Sequence, residues 1–181
     1  MRKMLALATG LAVAIYAPAP AQPAAKPNDA QIAHIAYTAD EIDIAAAKQA
    51  LAKTKNPQVR DFAEEMVRDH TVVNNRALAL VKKLHVTPQD NPTSQSLSAA
   101  AKEKHEELAK LSGKAFDVAY ATNEVAYHKT VNAALESTLI PNAQNAELKS
   151  ALQGAAPLLQ GHLDHAKQLQ SSLGGSSSGS H

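Results

Sequence analysis

The 181-residue chain has 18 Lys and Arg against 17 Asp and Glu, no Cys and no Trp, and is 45% hydrophobic but only 3% aromatic. That length accommodates one domain with a real core, and a core short of aromatic rings must be built from Ala, Leu, Val and Ile, which favours close-packed helices over an all-β fold. The lack of cysteine excludes disulfide frameworks, thiolate zinc sites, iron–sulfur clusters, cysteine nucleophiles and lipobox anchoring. Eight histidines are left as the distinctive chemistry.

Met1-Arg2-Lys3 is a basic start, Met4 to Tyr16 is an apolar run broken only by Thr9 and Gly10, and Ala19-Pro20-Ala21 is a small-x-small site. Residues 1–21 therefore read as a secretory signal peptide cut after Ala21, too short for a comfortable membrane span. The expected destination is the periplasm or the exterior. Removing Arg2 and Lys3 lowers the formal charge by two, from +1 to −1, and dispersed charges near neutrality give no electrostatic case for nucleic acid or anionic lipid. Residues 22–28 are Pro/Ala-rich and read as a disordered lead-in. At the other end, 174–181 is Gly-Gly-Ser-Ser-Ser-Gly-Ser-His, a flexible tail of linker composition that leaves His181 no chemical role.

Between 29 and 173, proline and glycine mark the joints. The first helix is expected over 29–53. The second is expected over 57–86, with Asn56 as N-cap and Pro57 at the first position. A loop over 86–92 leads to a shorter helix over 95–111, broken at Ser112-Gly113. The third long helix is expected over 114–139, ended by Pro141, and the fourth over 143–172, with Pro157 either kinking or restarting it. The pattern predicts an all-α, antiparallel, up-down-up-down four-helix bundle with an extra short helix before the third long one.

At about 100° per residue, Val59, Phe62, Met66, Val73 and Leu80 of the second helix share one arc with His70 at its centre. The inner arc of the third holds Phe116, Tyr120, Tyr127, Val131 and Leu135 together with Asp117, Glu124 and His128. Glu124 and His128 are one turn apart and can reach a common ion. In the fourth helix His162 is central and His165 marginal. The first helix is alanine-rich all round, and Glu41 is its expected inward carboxylate. Carboxylates buried without Lys or Arg must be paired, protonated or metal-bound. Imidazoles and carboxylates from facing helices are a common way for a bundle to build a metal site. Glu41, His70, His128 and His162 form the expected set, Glu124 adds a carboxylate, and Asp117 and His165 are outer partners. His34, His85 and His105 are expected at the periphery.

No His-Glu-x-x-His, Gly-x-Ser-x-Gly or Gly-rich phosphate loop occurs, so no catalytic motif is legible. No histidine has Glu three residues before it, which disfavours a di-iron carboxylate oxidase. Glu41-Ile42, Phe62-Ala63-x-x-Met66-Val67-x-Asp69-His70, Phe116-Asp117-x-x-Tyr120 with His128, and Leu158-x-x-x-His162-Leu163 together resemble the bacterial ferritin-like family of exported proteins called domain of unknown function four-one-four-two. The resemblance covers about residues 29–170. It implies a ferritin-like bundle without a settled activity, and it adds Asp69 and Tyr120 to the outer partners. Where that family commonly has Asp before the third-helix histidine, this chain has Tyr127.

These features predict an exported metal-binding protein for storage, sensing or stress protection. Zinc is the first choice for three histidines and a carboxylate, followed by iron, manganese or copper. The competing reading is a metal-free helical adaptor that docks an envelope partner or a second copy through outer apolar residues such as Val118 and Val125. A haem-binding bundle is a third reading.

Overall fold

The structure is a computed structural model that describes residues 26–175. The signal peptide, the lead-in before Lys26 and the tail from Ser176 lie outside the described residues. Among the described residues every regular element is helical: α1 (Asp29–Lys53), α2 (Pro57–Lys83), α3 (Pro92–Ala109), α4 (Gly113–Ala134) and α5 (Ala146–Gly175). No helix among the described residues is long and apolar enough to cross a membrane.

Side chains that accept orphaned amides set most helix starts. The Asn28 amide oxygen accepts the Gln31 amide in a capping box, Asn56 accepts from Gln58 and Val59 ahead of Pro57, and Asn91 accepts from Thr93 and Ser94. Each satisfies donors that the first helical turn leaves without partners. Pro92 thus opens α3 rather than ending the preceding loop, and the helix starts three residues before its expected position because Asn91-Pro92 is a cap followed by a first-position proline. The second helix ends earlier than the sequence pattern implies, at Lys83, where His85 takes a left-handed φ of 53°. Gly113, at φ 55°, makes the sharp entry into α4.

Two prolines are absorbed rather than obeyed. Beyond Ala134 the helix widens into a π-turn over Leu135–Leu139 and runs on through Ile140–Asn142, so it passes Pro141 before stopping. The Ile140 amide reaches back to the Leu135 carbonyl, one residue farther than in an α-turn. Pro157 lies inside an unbroken α5. Both Pro157 and Gln153, whose carbonyl loses its donor, are exposed, so water can meet that carbonyl.

Helix α1 packs on α2, α3 and α4, while α5 packs on α4 and α2. The core falls into two apolar halves. One gathers Ala47, Val59, Phe62, Met66, Phe116, Tyr120 and Leu169; the other gathers Ile32, Ile35, Leu135, Leu148 and Leu159. Along α1, α2, α4 and α5 alike, the segment between the two halves is polar. Val118 and Val125, expected on the outside, turn inward: Val125 is buried and Val118 packs on the first apolar half.

The Asp29 carboxylate ties the first helix to the last, accepting the Gln144 amide at 2.8 Å and the Asn145 amide at 2.9 Å. Asp29→Ala is expected to lower unfolding stability by about 1–2 kcal/mol, the range for a charged acceptor at a helix start. A denaturant midpoint unchanged from wild type would contradict this.

Candidate metal centre

The polar layer draws on four helices. Asp40 and Asp43 come from α1, His70 and Asn74 from α2, Glu124 and His128 from α4 and His162 from α5, and all are buried. The three imidazole centroids are 5.1 Å (His70–His162), 5.6 Å (His128–His162) and 5.9 Å (His70–His128) apart. One ring nitrogen from each lies within 4.8 Å of the others, and Asp43, Glu124 and His128 converge within the same limit.

Each ring is held at one nitrogen from outside. His70 Nδ1 lies 2.6 Å from Asp40 Oδ1, His128 Nδ1 lies 3.1 Å from the Glu124 carbonyl oxygen, and His162 Nε2 lies 3.1 Å from Asp69 Oδ2. The remaining nitrogens, His70 Nε2, His128 Nε2 and His162 Nδ1, are buried without a hydrogen-bond partner. Both Asp43 oxygens and Glu124 Oε2 are in the same condition. His70 Nε2 and His128 Nε2 approach Asp43 Oδ2 to 2.8 and 3.2 Å, yet without hydrogen-bonding angles. For comparison, neighbouring ligands of a tetrahedral ion with bonds of ~2.0 Å stand about 3.3 Å apart. Buried polar atoms are normally satisfied; with Asn74 Oδ1 the layer holds seven without a hydrogen bond, of which His70 Nε2, His128 Nε2 and Asp43 Oδ2 meet one another only as ion pairs.

Burial and mutual charge shift the groups of the layer in different directions. Burial pushes the His70 imidazolium down, but Asp40 and Asp43 outweigh it and raise its pKa to about 10. Burial likewise works against the Asp43 carboxylate, and His128 and His70 overcome it, holding the group well below the usual range. Glu124 goes the other way: burial, then the neighbouring Asp43 charge, keep it well above the usual range. Burial raises Asp40 despite His70. His162 is lowered by burial, with His70 and His128 adding to it against Asp69, which favours the neutral ring that a metal requires.

A family model described as "Domain of unknown function (DUF4142)" matches residues 15–169. The chain belongs to that family. Comparison with curated proteins and with solved structures returns no match.

In this DUF4142 chain, four of the residues singled out from the sequence meet in one layer: His70, His128, His162 and Glu124. Glu41 does not join them. It is exposed and accepts the Asn74 side-chain amide at 2.7 Å, at the edge of the layer. The inward carboxylates of α1 are Asp40 and Asp43, which the sequence reading missed. Glu41 lies about 200° around the helix from Asp43 at 100° per residue; the signal that could have separated them is the register Asp43, Ala47, Ala50, which continues one buried stripe.

The outer partners divide. Asp69 holds His162 as described. Asp117 is buried away from the layer and accepts the Thr54 hydroxyl at 2.7 Å, fastening the turn between α1 and α2. The Tyr120 hydroxyl is buried without a partner, its pKa raised by burial and by the Glu124 and Asp43 charges. His165 points from α5 to Glu65 on α2, at 2.6 Å. Tyr127 donates to the Ala39 carbonyl at 2.7 Å, so its hydroxyl secures α1 beside Asp40. His85 and His105 are exposed and His34 is half-buried.

In the metal-free protein the raised His70 pKa has a fixed sign. Its stabilisation is fully present below the unfolded value of 6.5 and is lost as pH rises through about 10. The thermal midpoint of the apo protein is therefore expected to fall between pH 7 and pH 10, and a midpoint flat or rising over that window would contradict the charge arrangement.

Proposed function

We propose that this protein is an exported metal-binding protein whose long helices form a ferritin-like antiparallel four-helix bundle, with α3 as the extra short helix. One divalent ion is held in the polar layer by His70 Nε2, His128 Nε2, His162 Nδ1 and Asp43. Asp40, Asp69 and the Glu124 carbonyl fix the rings from behind, as acceptors behind metal-bound imidazoles do. Glu124 stands next to Asp43 as a further carboxylate. The observation that supports this above all is the set of buried nitrogens and oxygens without hydrogen bonds on two triads that share His128, His70–His128–His162 and Asp43–Glu124–His128, each with ligand atoms within 4.8 Å of one another. Zinc suits three imidazoles and one carboxylate first, with iron, manganese and copper behind it. When bound, such an ion supplies charge neutralisation and Lewis acidity. An ion enclosed by protein ligands supports storage, sensing or stress protection as the role. The basic-apolar-small pattern of residues 1–21 supports export, which an N-terminus at Gln22 in periplasmic or secreted material would test.

Replacing residues around α1 discriminates this set from the one expected from sequence. Glu41→Ala is expected to leave metal affinity unchanged, whereas Asp40→Asn weakens it by about 10–100-fold, the usual cost of removing an outer partner of a ligating histidine. Competition titration against a chromophoric chelator measures both. The reverse order would return Glu41 to the site and remove the α1 face described above.

A further inference from the structure

Outside the buried layer a second group of ligating side chains bridges α2 and α5. Glu65 and Asp69 are four residues apart on α2, and His162 and His165 are three apart on α5, so each pair projects from one face of its helix. His165 Nδ1 lies 2.6 Å from Glu65 Oε2 and His162 Nε2 lies 3.1 Å from Asp69 Oδ2. One ligand atom each from Glu65, Asp69 and His162 falls within 4.8 Å of the others. The side chains form a gradient from water to core: His165 is 41% exposed, Glu65 28%, Asp69 17% and His162 1%. The Phe62 ring meets His165 edge-on at 5.1 Å and holds the imidazole over this face. Arg68 pairs with the other Asp69 oxygen, Oδ1, and so leaves Oδ2 to His162.

We propose that Glu65, Asp69, His162 and His165 form an outer, exchangeable site for a divalent cation, through which the ion is loaded into the buried site. The loading role rests on the buried site proposed above; the outer site itself does not. Two imidazoles with two carboxylates select a borderline ion such as zinc, cobalt, nickel or copper over magnesium or calcium. His162 is common to both sites but serves them with different nitrogens. A neutral ring carries a single proton. With the ion outside on Nε2, the proton sits on Nδ1; with the ion inside on Nδ1, it sits on Nε2 and is donated to Asp69. One tautomer change, with no net gain or loss of protons on the ring, thus accompanies transfer. The two sites compete for His162, so a filled inner site weakens the outer one.

Cobalt(II) is a suitable probe because its visible bands report binding directly. Metal-free full-length protein mixed with Co(II) is expected to show a fast phase followed by slower development of the final spectrum. The Glu65→Gln/His165→Ala double variant, altered only at partly exposed positions, is expected to reach the same final spectrum and stoichiometry at least ten times more slowly and without the fast phase. Uptake by the double variant at the wild-type rate with both phases intact would overturn the outer site. His70→Ala separates the two readings. Co(II) binding that keeps the wild-type stoichiometry, affinity and final spectrum in His70→Ala but is lost on adding the double substitution retains the outer site and rejects the inner one. No Co(II) binding by the wild type rejects both.

Discussion

His70→Ala is expected to abolish tight metal binding. The substitution removes one of the three inner nitrogens and also the ring that faces Asp40 and Asp43. Loss of an outer partner alone weakens comparable sites by about 10–100-fold, so loss of a direct ligand is expected to exceed ~100-fold. His128→Ala and His162→Ala should match it, because one ligand atom from each of the three rings lies within 4.8 Å of the others. Stability moves as well. The metal-loaded protein gains stability from its ligand by mass action, a few kcal/mol when free metal is ~100–1,000 times the dissociation constant. Wild type should therefore melt higher with added metal, and His70→Ala should rise far less, by what the weaker outer site alone contributes. A metal-dependent rise of equal size in the variant would remove His70 from the site.

Asp43→Asn is expected to be the most damaging single change to the metal-free fold. Asp43 is 1% exposed and stands against both His70 and His128, at 2.8 and 3.2 Å. With Asp40 it raises the pKa of the buried His70, and it adds to burial in raising that of Glu124. Breaking a buried pair by neutralising one member leaves the other uncompensated, at a cost of about 3–5 kcal/mol. The carboxamide keeps the shape, so the loss is electrostatic. The same variant is expected to lower the pKa of His70, since one of its two raising carboxylates is gone, and to bring Glu124 back toward the ordinary range. Chemical denaturation, with imidazole resonances followed by NMR across pH, reads both. A variant with wild-type stability and an unchanged His70 titration would show that Asp43 does not organise the layer.

The helices were readable from sequence because their punctuation is chemical and local. Asn28, Asn56 and Asn91 are caps, and Gly113 makes a turn that L-residues resist. The prolines misled where tertiary packing overrode a local rule: Pro141 lies within helical backbone after a π-turn, and Pro157 lies on a wet helix face. His70, His128 and His162 were legible because each sits amid large apolar neighbours on a helix with a clear face. Glu41 was misplaced for the opposite reason. An alanine-rich helix such as α1 has no strong amphipathic contrast, so its rotation is set by partners elsewhere in the chain, and two acidic residues three apart, Asp40 and Asp43, look from sequence alone like solvated charge. The pairing of His165 with Glu65 was equally hidden, since it depends on how α2 and α5 approach one another.

Direct elemental analysis of the full chain, produced without a metal-affinity step and dialysed against a metal-free buffer, tests the central claim most closely. About one tightly held transition-metal ion per chain is expected, zinc first, and it should disappear from His70→Ala and His128→Ala. A wild-type protein that retains no metal after exposure to zinc, iron, manganese or copper, and whose stability none of them alters, would contradict that claim.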